Sequence, residues 1–297
     1  MPDTARRNLS DELLTQVVLE SFENAGSPRI KEVLQSLVKH LHAFAVDVQL
    51  TEEEWAYGID FLTRTGHITD DKRQEFILLS DVLGLSMQVI GINHAVPDGA
   101  TENTVFGPFF VANSPQFTNG DDIANGASGI PCYFHGDVRS GSGEPIEGAN
   151  LEIWMADDEG NYDVQYADLD HAQGRGHISS AGEGRYWFWS VLPEAYPIPH
   201  DGPVGDLLKG AGRHPWRPAH IHFQISAPGY KTCTTHVFVD GDEYLDSDAV
   251  FGVKSSLIQG FEHHDAGTDT PDGRDIGGGE WWEMHYDFVL ASEDDNK

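Results

Sequence analysis

"RPAHIHFQIS", residues 217–226, sets Ile221, Phe223 and Ile225 at every second position, with His220, His222 and Gln224 between them. In an extended strand successive side chains point to opposite faces. The apolar set therefore faces a core, and the two histidines look onto something polar or onto a metal. Similar short apolar runs lie on either side: "GANLEIWMAD" (148–157), "GRYWFWSVL" (184–192), "CTTHVFVD" (233–240) and "EMHYDFVLA" (283–291). Gly, Pro and Asp turns separate them, which predicts a sandwich of short strands from about residue 104 to the end. The last six residues, "SEDDNK", read as disordered.

Upstream the period changes. "SDELLTQVVLESF" (10–22) opens on a Ser/Asp cap, and "SPRIKEVLQSLVKHLHAFAVDV" (27–48) has proline in its first turn and a broad apolar face. "TEEEWAYGIDFL" (51–62) carries the Thr51/Glu54 capping-box pattern, and "TDDKRQEFILLSDVLGLSMQVIGI" (69–92) reads as a fourth, long helix. The expected architecture is α+β: a helical dimerisation and linker domain over 1–103, then a mixed β-sandwich catalytic domain over 104–297.

The chain has 297 residues, 49 of them acidic against 18 basic, for a net charge of −31. Such a surface repels phosphate backbones and anionic membranes, which argues against nucleic-acid and lipid-surface partners. Two cysteines are too few for a disulfide framework. "MPDTARRNLSDELL" has no apolar run after its arginines, and no window reaches the length of a membrane span. The expected setting is cytoplasmic.

A lone His-x-His pair suits several chemistries. A cupin-type site would follow it with a glutamate, where this chain has Gln224. A zinc hydrolase site would take a third ligand, with His236, His263 and His264 as candidates. A ferric site would need harder, anionic ligands such as tyrosine phenolates. Tyr162 stands in the Gly/Asn-flanked turn "DEGNYD", where a side chain can be aimed into a cleft. Tyr196 directly precedes Pro197, which biases its backbone towards extended geometry.

"GNYD" (160–163), "YPIPHDGPVGDLL" (196–208) and "GRHPWRPAHIHF" (212–223) together resemble the intradiol ring-cleaving dioxygenases of the catechol type. "TVFGPFF" (104–110), "GEPIEGANLEIWMAD" (143–157), "GEGRYWFWSVLP" (182–193) and the helical half extend the resemblance over nearly the whole chain. It implies one Fe(III) per subunit, held by Tyr162, Tyr196, His220, His222 and a solvent hydroxide. The substrate diol would bind as a dianion, with Tyr196 leaving as ligand and taking one of its protons. Arg217 would stabilise the negative charge of the ring as oxygen attacks.

The resemblance also implies a substrate wall of Leu78, Asp81, Val105, Phe106, Gly107, Pro108, Phe109, Ile198, Pro199, Arg217 and Val250. Asp81 could accept a hydrogen bond from an additional ring hydroxyl, and "SDVLG" (80–84) with "TVFGPFF" resembles the branch that cleaves hydroxyquinol, benzene-1,2,4-triol. The product would be 3-hydroxy-cis,cis-muconate, the enol form of maleylacetate. The sequence departs from the catechol-cleaving pattern at His236, where relatives tend to carry glutamine. A homodimer through the N-terminal helices, with a phospholipid in an apolar tunnel there, is implied as well. The alternatives are a catechol or substituted-catechol 1,2-dioxygenase, a zinc hydrolase, and a non-enzymatic binding module.

Overall fold

The computed structural model describes residues 9–70 and 73–294. Its contacts group the chain into two units, Met1–Arg64 and Thr65–Lys297. The first holds α1 (Asp11–Ser21), α2 (Pro28–Asp47) and most of α3 (Glu52–Ile68). Each helix starts where its side chains can satisfy the free amide groups of a first turn. The Ser10 and Ser27 hydroxyls accept from the amides of Leu13 and Ile30. Thr51 and Glu54 bond reciprocally, Glu54 N–H to the Thr51 hydroxyl and Thr51 N–H to the Glu54 carboxylate. Among the described residues α2 buries none of its side chains, and Ile30, Val33, Leu37, Leu41 and Phe44 are all exposed.

The segment read as one long helix over 69–92 is two. Residues 71–72 lie outside the described residues, and α4 runs from Glu75 to Val82 and α5 from Leu85 to Asn93. The two are bent by 79°. Gly84 adopts φ +73°, a left-handed conformation that ends α4 and is cheap only for glycine. Arg213 fixes the break, donating to the Val82 carbonyl from Nη1 (2.5 Å). No single helix among the described residues is long and apolar enough to cross a membrane.

The remaining elements are β1 (Pro131–Ser140), β2 (Asn150–Trp154), β3 (Arg175–Ser179), β4 (Arg185–Val191), β5 (Tyr196–Pro197), α6 (Pro203–Gly210), β6 (Trp216–Arg217), β7 (His220–Ser226), β8 (Cys233–Val239), β9 (Ile258–Gln259), β10 (Phe261–His264), β11 (Trp281–His285) and β12 (Phe288–Leu290). One five-stranded sheet is ordered β10-β11-β1-β12, with β4 also on β1; a second is ordered β3-β2-β7-β8-β9. Both mix parallel and antiparallel pairs.

Ile221, Phe223 and Ile225 of β7 join Leu151, Ile153, Phe134, Phe188 and Met284 in the main core, as the alternation predicts. Each such side chain, fully buried, stabilises by about 1.5–3 kcal/mol. The opposite face of β7 is left for His220 and His222, so the strand that anchors the core also carries the site. The chain's last residues differ from expectation. Ser292 bridges to Tyr230 and Glu293 N–H donates to the Gly229 carbonyl (3.0 Å), so this part of the tail is tethered. Residues 295–297 lie outside the described residues.

Candidate metal centre and substrate pocket

Four donor atoms converge beside β7. Tyr162 Oη lies 3.0 Å from Tyr196 Oη and 2.9 Å from His222 Nε2; His220 Nε2 lies 3.3 Å from Tyr196 Oη and 3.2 Å from His222 Nε2. All four side chains are buried. His220 Nδ1–H donates to the Pro218 carbonyl (2.7 Å), which leaves its Nε2 lone pair facing the other three donors. Burial, with Arg217 adding to it, lowers the His220 pKa to about 3, so the imidazole is neutral. Burial raises both phenols above their ordinary value. Neutral imidazoles and phenols that can ionise only beside a cation, spaced about 3 Å apart, fit adjacent ligands of an ion bound at roughly 2 Å.

Tyr196 and Arg217 are direct partners in the two-stranded ribbon formed by β5 and β6. Arg217 is buried and grips Asp248 with two nitrogens, Nε to Oδ1 (3.1 Å) and Nη2 to Oδ2 (3.3 Å). Its Nη1 points inward, 3.2 Å from His220 Nε2 and 3.5 Å from His236 Nε2. Asp248 also accepts the Val250 and Gly252 amides, and although burial pushes its carboxyl up, Arg217 and the Gly252 amide hold it below the usual range. The role of Asp248 was missed in the sequence. So was that of Arg175, whose buried guanidinium forks onto Asp163, the residue after Tyr162.

His236, a candidate third zinc ligand, does reach the pair, with donors of His220, His222 and His236 all within 4.8 Å of one another. Its Nδ1 is hydrogen-bonded to the Thr104 hydroxyl, and its Nε2 lies 3.5 Å from Arg217 Nη1, which also approaches His220. His263 and His264 stand on β10 of the other sheet, so they are not ligands here.

The expected substrate wall falls into two groups. Leu78, Val105, Ile198 and Val250 share one apolar cluster with Val82 and Val204. Asp81 is buried rather than solvated, interacts with the Ser86 hydroxyl and feels both Arg217 and Asp248; burial pushes its carboxyl up. Phe109 stacks on Tyr162 at 4.5 Å, and Phe106, partly exposed, packs on Phe110 and Trp154. Pro108 and Phe109 line a cavity of about 790 Å³ with Arg175. Gly107 brings its backbone against His222, where an added Cβ would lie 3.2 Å from the ring. Pro199 is half-buried and joins neither group.

A model described as "Dioxygenase" matches residues 105–292, and one described as "Catechol dioxygenase N terminus" matches residues 27–101. The chain belongs to the intradiol ring-cleavage dioxygenase family. The dioxygenase is 52% identical to a hydroxyquinol 1,2-dioxygenase of Nocardioides simplex, over 98% of each chain. It is 53% identical to a 6-chlorohydroxyquinol 1,2-dioxygenase of Cupriavidus pinatubonensis, over 93% of this chain and 96% of that one. The crystal structure of a hydroxyquinol 1,2-dioxygenase from Pseudomonas putida superposes with a TM-score of 0.89 at 45% identity, over 95% of this chain and 99% of that one.

One glycine tests how tightly the dioxygenase holds its donors. Gly160, two residues before Tyr162, has φ +77°, and a Cβ there would stand 2.7 Å from Tyr196 Cβ. Gly160→Ala is expected to cost about 1–2 kcal/mol for the backbone alone and to displace Tyr196. Iron per subunit and melting temperature should both fall. Full iron content in this variant would mean that the tyrosine pair tolerates displacement.

Proposed function

We propose that this chain cleaves hydroxyquinol with O2 between its two adjacent hydroxyl-bearing carbons, giving 3-hydroxy-cis,cis-muconate and hence maleylacetate. Tyr162, Tyr196, His220 and His222 would hold one non-haem Fe(III) per subunit, which when bound supplies a Lewis acid that draws electron density from the chelated diol. Tyr196 accepts a diol proton at its phenolic oxygen, which lies 3.0 Å from Tyr162 and 3.3 Å from His220. The Arg217 guanidinium, locked by Asp248, stands ready to stabilise negative charge as it develops on the ring. Leu78, Val105, Ile198 and Val250 exclude water from one side of the substrate.

The observation that carries the choice of triol is Asp81, an acid buried on α4 together with Leu78 and Val82 of this apolar cluster. A buried group built to pair a hydroxyl discriminates strongly against an analogue that lacks it. Residues 1–103 are proposed to serve dimerisation, which the uncovered apolar face of α2 supports. A cytoplasmic setting fits the two free, buried cysteines.

Initial oxygen uptake by the iron-loaded protein with hydroxyquinol and with catechol, corrected for spontaneous oxidation of the triol, tests the reading. A preference for the triol is expected, with Asp81→Ala lowering kcat/KM for it by roughly 10–100-fold and leaving catechol nearly unchanged. Preference for catechol, or a ratio untouched by the substitution, would reassign the substrate.

A further inference from the structure

The face of the β10-β11-β1 sheet opposite the main core, where Tyr133, Trp189 and Trp281 form a smaller buried cluster, carries a second set of donors. Glu283 of β11 sits directly opposite Glu262 of β10 in the antiparallel register. Like charges so placed repel and weaken the pair, and among the described residues neither carboxylate has a Lys or Arg partner within salt-bridge distance. Imidazoles approach Glu283 from both neighbouring strands instead. His264 Nε2 of β10 lies 3.1 Å from one carboxylate oxygen, and His135 Nε2 of β1 lies 2.9 Å from the other.

Both imidazoles are held in orientation by aromatic rings on the same face. His264 stacks on Trp281 with ring centroids 3.8 Å apart and planes 10° apart, and His135 stacks on Tyr133 at 5.3 Å. Donor atoms of Glu262, His264 and Glu283 all lie within 4.8 Å of one another, although no hydrogen bond links Glu262 to either partner. A pair of opposed carboxylates and a pre-oriented imidazole, with no fixed cation between them, is a set that a borderline divalent ion would complete.

We propose that Glu262, His264 and Glu283 form a second divalent-cation site of the Zn²⁺ type, separate from the tyrosine-lined centre. His135 acts as a positioning residue, holding the far oxygen of Glu283 so that the near one stays available. Three ligands leave one tetrahedral position open to water. Because the ligands come from β10 and β11, with β1 bracing them, an ion there would clamp the edge of the sheet, and the −31 net charge of the chain favours its approach.

The test titrates Zn²⁺ into iron-loaded protein by calorimetry, with iron content and the visible absorption of the ferric site followed in parallel. One Zn²⁺ per subunit beyond the iron is expected, with no loss of iron or of visible absorption and a rise in melting temperature. Co²⁺ in place of Zn²⁺ should give d–d bands of a low-coordinate N/O site. Glu262→Gln, at an exposed position where folding is not at risk, is expected to weaken Zn²⁺ by about 10-fold or more, and His264→Gln to abolish the site. Ring-cleavage activity should be unchanged in both. Absence of the extra equivalent, or Zn²⁺ binding by both variants as tight as by the parent, would overturn the proposal and leave only diffuse attraction to an acidic surface.

Discussion

Tyr162→Phe is expected to abolish ring cleavage and to strip the iron-loaded protein of most of its visible absorption. The substitution removes one oxygen atom and nothing else of consequence. That oxygen sits 2.9 Å from His222 Nε2 and 3.0 Å from Tyr196 Oη, in a residue with no solvent exposure. The ring itself keeps its stacking on Phe109, so melting temperature and far-ultraviolet circular dichroism should scarcely move. Losing an outer partner of a metal ligand typically costs 10–100-fold in affinity or activity, and losing a ligand should cost more. The buried phenol is held above its ordinary pKa, so it can become an anionic donor only in exchange for a cation beside it. Activity within about 10-fold of the parent would exclude Tyr162 as a ligand. Retained colour with lost activity would shift its role from holding the iron to shaping the pocket.

The second large effect is expected at Arg217. A lysine keeps the charge but cannot bond two oxygens of Asp248 while aiming a third nitrogen at the centre. Arg217 does both, with Nε and Nη2 on Asp248 and Nη1 3.2 Å from His220 Nε2. Arg217→Lys should lower kcat by roughly 10²–10³, the range for losing one preorganised donor to a developing negative charge, with KM changing far less. Asp248→Asn should produce a smaller loss of the same kind, because the guanidinium stays but its grip weakens. Removing the charge outright is a poorer probe: Arg217→Met would strand the buried Asp248 carboxylate, at a cost of about 3–5 kcal/mol. An effect confined to KM in Arg217→Lys would mean that the arginine binds substrate and does not assist the reaction.

Much of this arrangement could be read from residue order. The alternation in β7 gives both the core face and the histidine face, and the Ser10, Ser27 and Thr51 caps mark three helix starts. Other parts could not. Leu83, Gly84 and Leu85 continue an apolar helical pattern, and a single glycine inside one costs only about 1 kcal/mol, so the 79° bend left no distinct mark in the sequence. Asp248 is one acid among 49 and lies far along the chain from the arginine it fixes. Its partnership arises from tertiary packing, as does the seat of His236 between Thr104 and Arg217. Asp81 could have been an ordinary helix-surface acid; only the packing around α4 makes it a buried one.

The β5–β6 ribbon has a further consequence for how such an enzyme could diversify. Because Tyr196 and Arg217 are cross-strand neighbours, as are Pro197 and Trp216, the whole excursion from 198 to 215, α6 included, is a closed loop hung from two rungs. Lengthening, shortening or exchanging that loop leaves both rungs intact, and with them the spacing of phenol and guanidinium. Yet Ile198 and Val204, at and near the base of the loop, share one apolar cluster with Leu78, Val105 and Val250, residues proposed to face the substrate ring. Selection for new aromatic substrates could therefore work through changes in a single segment, while the reacting centre is inherited unchanged.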